Sequence, residues 1–200
     1  MQALIDACAA GTLPNTRITL VLSNRKAAYG LARAAQAAPP IPTAYLALQP
    51  YLKAHAGATR DDYDEAVALR VREAQPDLVV LAGWMHVLGE RFLDILAGKL
   101  GSEGRAVPVI NLHPALPDTF DGANAVQRAY DAFRRGEIAK TGVMVHHVVK
   151  EVDRGEPVVV REIAFREGEA QDAFEERLHA VEWEVIVQAT RKVLKDEALL

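Results

Sequence analysis

The chain has 200 residues, half hydrophobic and a quarter charged, which suits one domain with a substantial core and rules out a disordered chain. A formal net charge of -4 leaves no surplus of Lys or Arg to neutralise a track of phosphates, so nucleic acid is not an expected partner. Cys8 is the only cysteine, which excludes an intramolecular disulfide and a cysteine-based metal site, and no apolar run is long enough to span a bilayer.

The stretch ITLVLS at 18–23 is apolar on both parities and predicts a strand covered on both faces. RKAAYGLARAAQAA follows as a helix, TAYLAL as a second strand, and RDDYDEAVALRVREAQ as a helix ended by Pro76. DLVVLAG at 77–83 reads as a strand, ERFLDILAGKL as a helix and VPVINL at 107–112 as another strand. NAVQRAYDAFRRG predicts a helix with Gly136 at its C-terminal end.

Two strand candidates, TGVMVHHVV and EPVVVREIAF, are joined by the turn-rich KEVDRG, which predicts an antiparallel pair before a long final helix over 170–194. This order implies an α/β fold, a doubly wound and mostly parallel sheet with a C-terminal antiparallel extension. Ligands of such sheets collect at the carboxyl ends of the strands, so the loops after 80–83 and 109–112 are the first candidates.

The second of those loops begins at VINLHPALP. Asn111 and His113 are two residues apart, and Pro114 disfavours helix at His113, so an extended backbone points both side chains to the same side. Pro117 delays the following helix. An amide donor beside a titratable ring suits acyl transfer to an amine: the amide stabilises the oxyanion, and the ring with a nearby carboxylate moves the amine's proton.

Asp153, in EVDRG, is the candidate carboxylate, although Asp two residues before Gly is also ordinary turn chemistry. His146 and His147 are adjacent on a strand, so at most one faces such a site. No HExxH spacing, GxSxG elbow, phosphate loop or GxGxxG fingerprint is present, which weighs against a metal site, a hydrolase, a nucleotide kinase and a dinucleotide dehydrogenase.

Five stretches in order, VLSNRKAAYGLARA, PDLVVLAGWMHVL, NLHPALPDTFDGANAVQRA, KTGVMVHHVVKEVDRGEPV and RLHAVEWEVI, resemble the phosphoribosylglycinamide formyltransferase family over nearly the whole chain, and the GANAV stretch resembles its fungal type. The resemblance implies transfer of a formyl group from 10-formyltetrahydrofolate, a cosubstrate, to the amine of 5'-phosphoribosylglycinamide in purine biosynthesis. It implies a cytoplasmic enzyme of small-molecule substrates, with no metal, no nucleotide cofactor or other permanently bound cofactor and no membrane partner, and it leaves the oligomeric state open.

Residue by residue, the resemblance makes Asn111, His113 and Asp153 catalytic. It assigns Arg60, Met85, His86, Val87, Leu88, Asn111, Val149 and Asp153 to the folate, although the family often has Arg where His86 stands. His179 and Glu182 would contact the ribonucleotide; taken alone, Arg60 and Glu182 read as solvated helix charges.

Family members start with a strand and a Gly-Ser-Asn-type loop ahead of the helix with which this chain begins. The resemblance therefore implies a single formyltransferase domain over 1–200 that is incomplete at its N-terminus, without the backbone amides that would hold the ribonucleotide phosphate. Two alternatives stay open at this point: a noncatalytic folate-binding remnant, and a related formyltetrahydrofolate-using enzyme with another acceptor.

Overall fold

The computed structural model describes residues 1–100 and 105–199. In chain order the elements are α1 (Gln2–Ala9), β1 (Val21–Ser23), α2 (Tyr29–Gln36), β2 (Thr43–Tyr45), α3 (Leu48–Ala54), α4 (Arg60–Glu73), β3 (Val79–Leu81), α5 (Glu90–Leu96), β4 (Val109–His113), α6 (Ala125–Arg134), β5 (Lys140–His147), β6 (Pro157–Ala164) and α7 (Gln171–Asp196). The described residues fall into two compact units, one of Met1–Val79 with His86–Pro108 and one of Val80–Met85 with Val109 onward.

In the first unit β1 and β2 pair in parallel, Val21 opposite Thr43, and α2 packs against both. Helix α4 opens with a reciprocal cap: the Thr59 hydroxyl accepts from the Asp62 N–H, while the Asp62 carboxylate accepts the Thr59 N–H at 2.8 Å. Its buried face, Tyr63, Asp64, Val67 and Ala68, follows the three- and four-residue spacing of one helix side, and α4 packs against α5. Near the far end of α4, Arg72 donates to the carbonyls of Ile95 and Leu96 at 2.8 Å, adding a charged donor to the end of α5, where the same carbonyls also accept the Gly98 and Val107 N–H groups.

In the second unit β3, β4, β5 and β6 are neighbours in that order, and both β4–β5 and β5–β6 are antiparallel. β5 is buried from Thr141 to His146, and α7 packs against β5 and β6 with Phe174, Leu178, Val185 and Ile186 in its buried stripe. The parallel pair, the antiparallel extension and the long last helix are the α/β architecture expected from the alternation of patterns. After Arg135 ends α6, Gly136 takes φ 75, the left-handed turn that glycine adopts at no steric cost.

The strands are shorter than their apolar runs. ITLVLS contributes only Val21–Ser23 to the ladder, because hydrogen bonding to β2 begins where Val21 N–H meets the Pro42 carbonyl. Helix α3 was not expected from sequence; its Pro50 is the third helical residue, where no intrahelical N–H bond is required of it. Among the described residues no helix is long and apolar enough to cross a membrane, and no His, Cys, Asp and Glu group is arranged to hold a metal ion.

Candidate active site

The site is built at the end of β4, within the second unit. The antiparallel register sets His146 of β5 directly opposite Asn111, and Met144 opposite His113. Directly opposed residues share a face, and the Asn111 Nδ2 lies 3.2 Å from His146 Nε2. The β5–β6 ladder shifts register between Val145 and His146, a bulge of the kind that re-aims a side chain.

Asp153 comes from the connection between β5 and β6, and its backbone is left-handed at φ 57. Two residues later Gly155 lies so close to β5 that a Cβ would fall 1.6 Å from the His147 carbonyl oxygen and 3.3 Å from His146 Nδ1. Only a hydrogen fits there. This backbone-to-backbone seat brings Asp153 Oδ1 to 3.3 Å from Asn111 Nδ2 and 3.4 Å from His146 Nε2, and Oδ2 to 3.4 Å from His113 Nδ1.

A third segment, the loop after β4, supplies the Gly122 N–H, which donates to Asp153 Oδ2 at 2.8 Å. Asp118, Phe120, Gly122 and Asn124 of that loop all have positive φ. For an aromatic residue such as Phe120 this conformation costs about 1 kcal/mol or more. Cations hold it in place: Arg128 donates to the Phe120 and Asp121 carbonyls at 2.6 and 2.5 Å, and Arg154 pairs with the carboxylates of Asp118 and Asp121.

His113 is 4 % exposed, and burial pushes its imidazole below the ordinary histidine range, against the opposing pull of the Asp153 carboxylate. The Asp153 carboxyl is held down at about 2, chiefly by its hydrogen bond with His146 and then by the Gly122 amide and the charge of His113, against the effect of burial. His113 Nε2 is buried and has no hydrogen-bond partner among the described residues. With the ring hydrogen on Nδ1, toward Asp153, Nε2 keeps its lone pair and is a base.

His146 Nδ1 is 2.9 Å from the His147 carbonyl, which only accepts, so Nδ1 carries a hydrogen. A neutral His146 then accepts from Asn111 at Nε2, whereas an imidazolium donates to Asp153. With His146 neutral, both amide hydrogens of Asn111 have acceptors, in His146 and Asp153, and donation to a developing oxyanion exchanges one of them.

The structure thus brings Asn111, His113 and Asp153 together. The other residues named from sequence make the following contacts within their own units. In the first unit Arg60 donates to the Val87 carbonyl at 2.7 Å, His86 bonds Asp64 at 2.6 Å, and Leu88 is buried. Val87 of the first unit is 49 % exposed and Met85 of the second 66 %, high values for apolar side chains. In the second unit Val149 is exposed, and His179 and Glu182 bond each other at 2.7 Å one turn apart on α7.

Sequence reasoning left His146 level with His147 and missed the Gly122 amide and the seat at Gly155. The register of β5 against β4 decides the first, and no residue pattern encodes it. The small residue two positions after Asp153 was a visible signal for the seat, and turn chemistry accounted for it equally well.

The formyl transferase family model matches residues 1–190. The phosphoribosylglycinamide formyltransferase of Schizosaccharomyces pombe is 43% identical over 199 residues, covering 98% of this chain and 92% of that protein. The Saccharomyces cerevisiae phosphoribosylglycinamide formyltransferase is 39% identical over 206 residues, with the same coverage of 98% and 92%. Among solved structures, glycinamide ribonucleotide transformylase 1 from Geobacillus kaustophilus superposes with a TM-score of 0.79 at 30% identity, covering 96% of this chain and 91% of its own. Matches that run through Asn111, His113, His146 and Asp153 place the strand-end cluster inside the shared region, and the chain belongs to the formyl transferase family, among the phosphoribosylglycinamide formyltransferases.

Proposed function

We propose that this protein transfers the formyl group of 10-formyltetrahydrofolate to the amine of 5'-phosphoribosylglycinamide, a step of purine biosynthesis, in the cytoplasm and with no permanently bound cofactor. One observation carries the reading: a buried imidazole, His113, has one nitrogen facing a carboxylate and the other, Nε2, without a hydrogen-bond partner among the described residues, and the same carboxylate holds a carboxamide.

The amine nitrogen attacks the formyl carbon, and negative charge develops on the former carbonyl oxygen. Asn111 donates to that oxygen after exchanging its 3.3 Å bond to Asp153. His113 Nε2 takes the proton that the amine sheds, and Asp153 stabilises the imidazolium through Nδ1. Collapse of the intermediate breaks the bond from the formyl carbon to N10, and His113 returns the proton to that nitrogen. Formylated ribonucleotide and tetrahydrofolate leave, and the enzyme's protons are restored.

In the same reading the folate is recognised by Arg60, Met85, His86, Val87, Leu88 and Val149, together with Asn111 and Asp153. His179 and Glu182 contact the ribonucleotide. Support for the folate assignment comes from the exposed apolar side chains of Met85 and Val87, which offer a surface to a flat heterocycle.

The test is to mix the purified chain with 10-formyltetrahydrofolate and 5'-phosphoribosylglycinamide and to follow tetrahydrofolate release and the mass of the ribonucleotide. A gain of one formyl group that depends on His113 is the expected result. Folate binding in calorimetry without turnover would replace this reading with the folate-binding remnant.

A further inference from the structure

Helix α4 grips the segment that follows β3 at three points. Arg60 and Asp64 are four residues apart and so lie on one side of the helix. Arg60 Nη2 donates to the Val87 carbonyl at 2.7 Å. The two oxygens of Asp64 divide between the ends of the segment: Oδ1 is 2.6 Å from His86 Nε2, and Oδ2 accepts the Gly89 N–H at 2.8 Å. The His86 ring also stands edge-on to Tyr63, with centroids 5.3 Å apart, and the Tyr63 hydroxyl is anchored on the Leu46 carbonyl at 3.0 Å.

Asp64 is 1 % exposed. A buried carboxylate is costly unless donors satisfy it, and an apolar residue would pack α4 against α5 as well. What a carboxylate adds is direction. Two donors three residues apart are fixed relative to one another, so the backbone between them is fixed as well. That backbone carries the Val87 side chain outward and the Leu88 side chain inward.

We propose that Asp64 is a positioning residue for folate recognition, its buried carboxylate setting the 86–89 backbone through the His86 ring and the Gly89 amide. This rests on the assignment of that segment to the folate under the proposed function. Asp64 touches no substrate in this scheme; it acts through His86 and Gly89.

The experiment is steady-state formyl transfer by Asp64→Ala, Asp64→Asn and Asp64→Ser, at a temperature where circular dichroism shows each variant folded. Asp64→Ala removes both bonds and is expected to raise KM for 10-formyltetrahydrofolate about tenfold, with kcat and the ribonucleotide KM within about twofold. Asp64→Asn can still accept from Gly89 while its amide donates to a neutral His86, so it is expected to restore KM to near the wild-type value. Unchanged folate KM in folded Asp64→Ala, or parallel loss in kcat and both KM values, overturns the proposal.

Should Asp64→Ala fail to fold, Asp64→Ser decides, since its shorter hydroxyl cannot span both the His86 ring and the Gly89 amide: a folate KM raised severalfold supports the proposal, and a wild-type value overturns it. Wild-type protein without transfer activity overturns the function reading instead. Calorimetry with 10-formyltetrahydrofolate then separates the two: folate affinity lost in Asp64→Ala and kept in Asp64→Asn upholds the positioning role, whereas equal affinity in Asp64→Ala, or none in the wild type, overturns it.

Discussion

Asn111 and His146 face each other across the β4–β5 ladder, with the Asn111 amide nitrogen 3.2 Å from His146 Nε2. Because His146 also reaches Asp153 at 3.4 Å, it links the proposed oxyanion donor to the acid. His146→Phe keeps a ring and removes both interactions. We expect kcat to fall about tenfold or more, with folate KM changed less than about threefold, in steady-state assays. Wild-type kcat would show that His146 only fills space.

His113→Ala removes the proposed base. Turnover should fall by about two to four orders of magnitude, the range for a positioned proton-transfer group, while folate affinity in calorimetry stays near wild type. Full turnover in the variant would remove the mechanism.

The pH profile follows from the same residue. Burial lowers the His113 pKa, so the folded protein keeps the ring neutral at pH values where a free histidine takes a proton. The acid limb of kcat/KM should therefore lie below about pH 6.5, the free-histidine value. Asp153→Asn removes the charge that partly offsets burial, so its acid limb should move to lower pH while the plateau rate drops. An acid limb that stays in place would mean that another group controls it.

Stability gives an independent reading of Asp153. Its folded pKa of about 2 is below the unfolded carboxyl value, so its stabilising contribution is complete above the unfolded value and disappears as pH falls through the folded one. Urea titrations should show stability falling between about pH 4 and pH 2, and Asp153→Asn should lose that part of the slope. His113 acts in the same sense at higher pH. Its depressed pKa makes the unfolded chain bind the proton first, so stability declines as pH drops below about 6.5 and levels off below the folded pKa.

Gly155→Ala should be the most damaging small substitution in this region. The added carbon meets the His147 carbonyl at 1.6 Å, backbone against backbone, and nothing flexible can yield. A stability loss of roughly 2 kcal/mol or more, read from the urea midpoint, should accompany loss of turnover. Near wild-type stability and activity would show that the turn is not seated as described.

Much of this was legible in the sequence, for identifiable reasons. Apolar runs announced β3, β4 and β5 because buried strands need both faces covered, and the spacing of Asn111 and His113 predicted a shared side because strand periodicity is two. The contacts of both residues with Asp153 fit that geometry. His146 could not be chosen over His147, since a one-residue slip in register exchanges them and only the folded ladder fixes it. Helix α3 escaped notice because Pro50 reads as a breaker unless its place in the first turn is known.

Gly155 has one further consequence. The acid reaches the imidazole because one α-carbon carries nothing larger than hydrogen, so the distance between these reacting groups is governed by a residue with no functional group of its own. A search for chemistry confined to polar side chains would pass over the position that keeps the cluster assembled. In designing such a centre anew, the first decision concerns how near two stretches of main chain may come, and the choice of reactive groups follows from it.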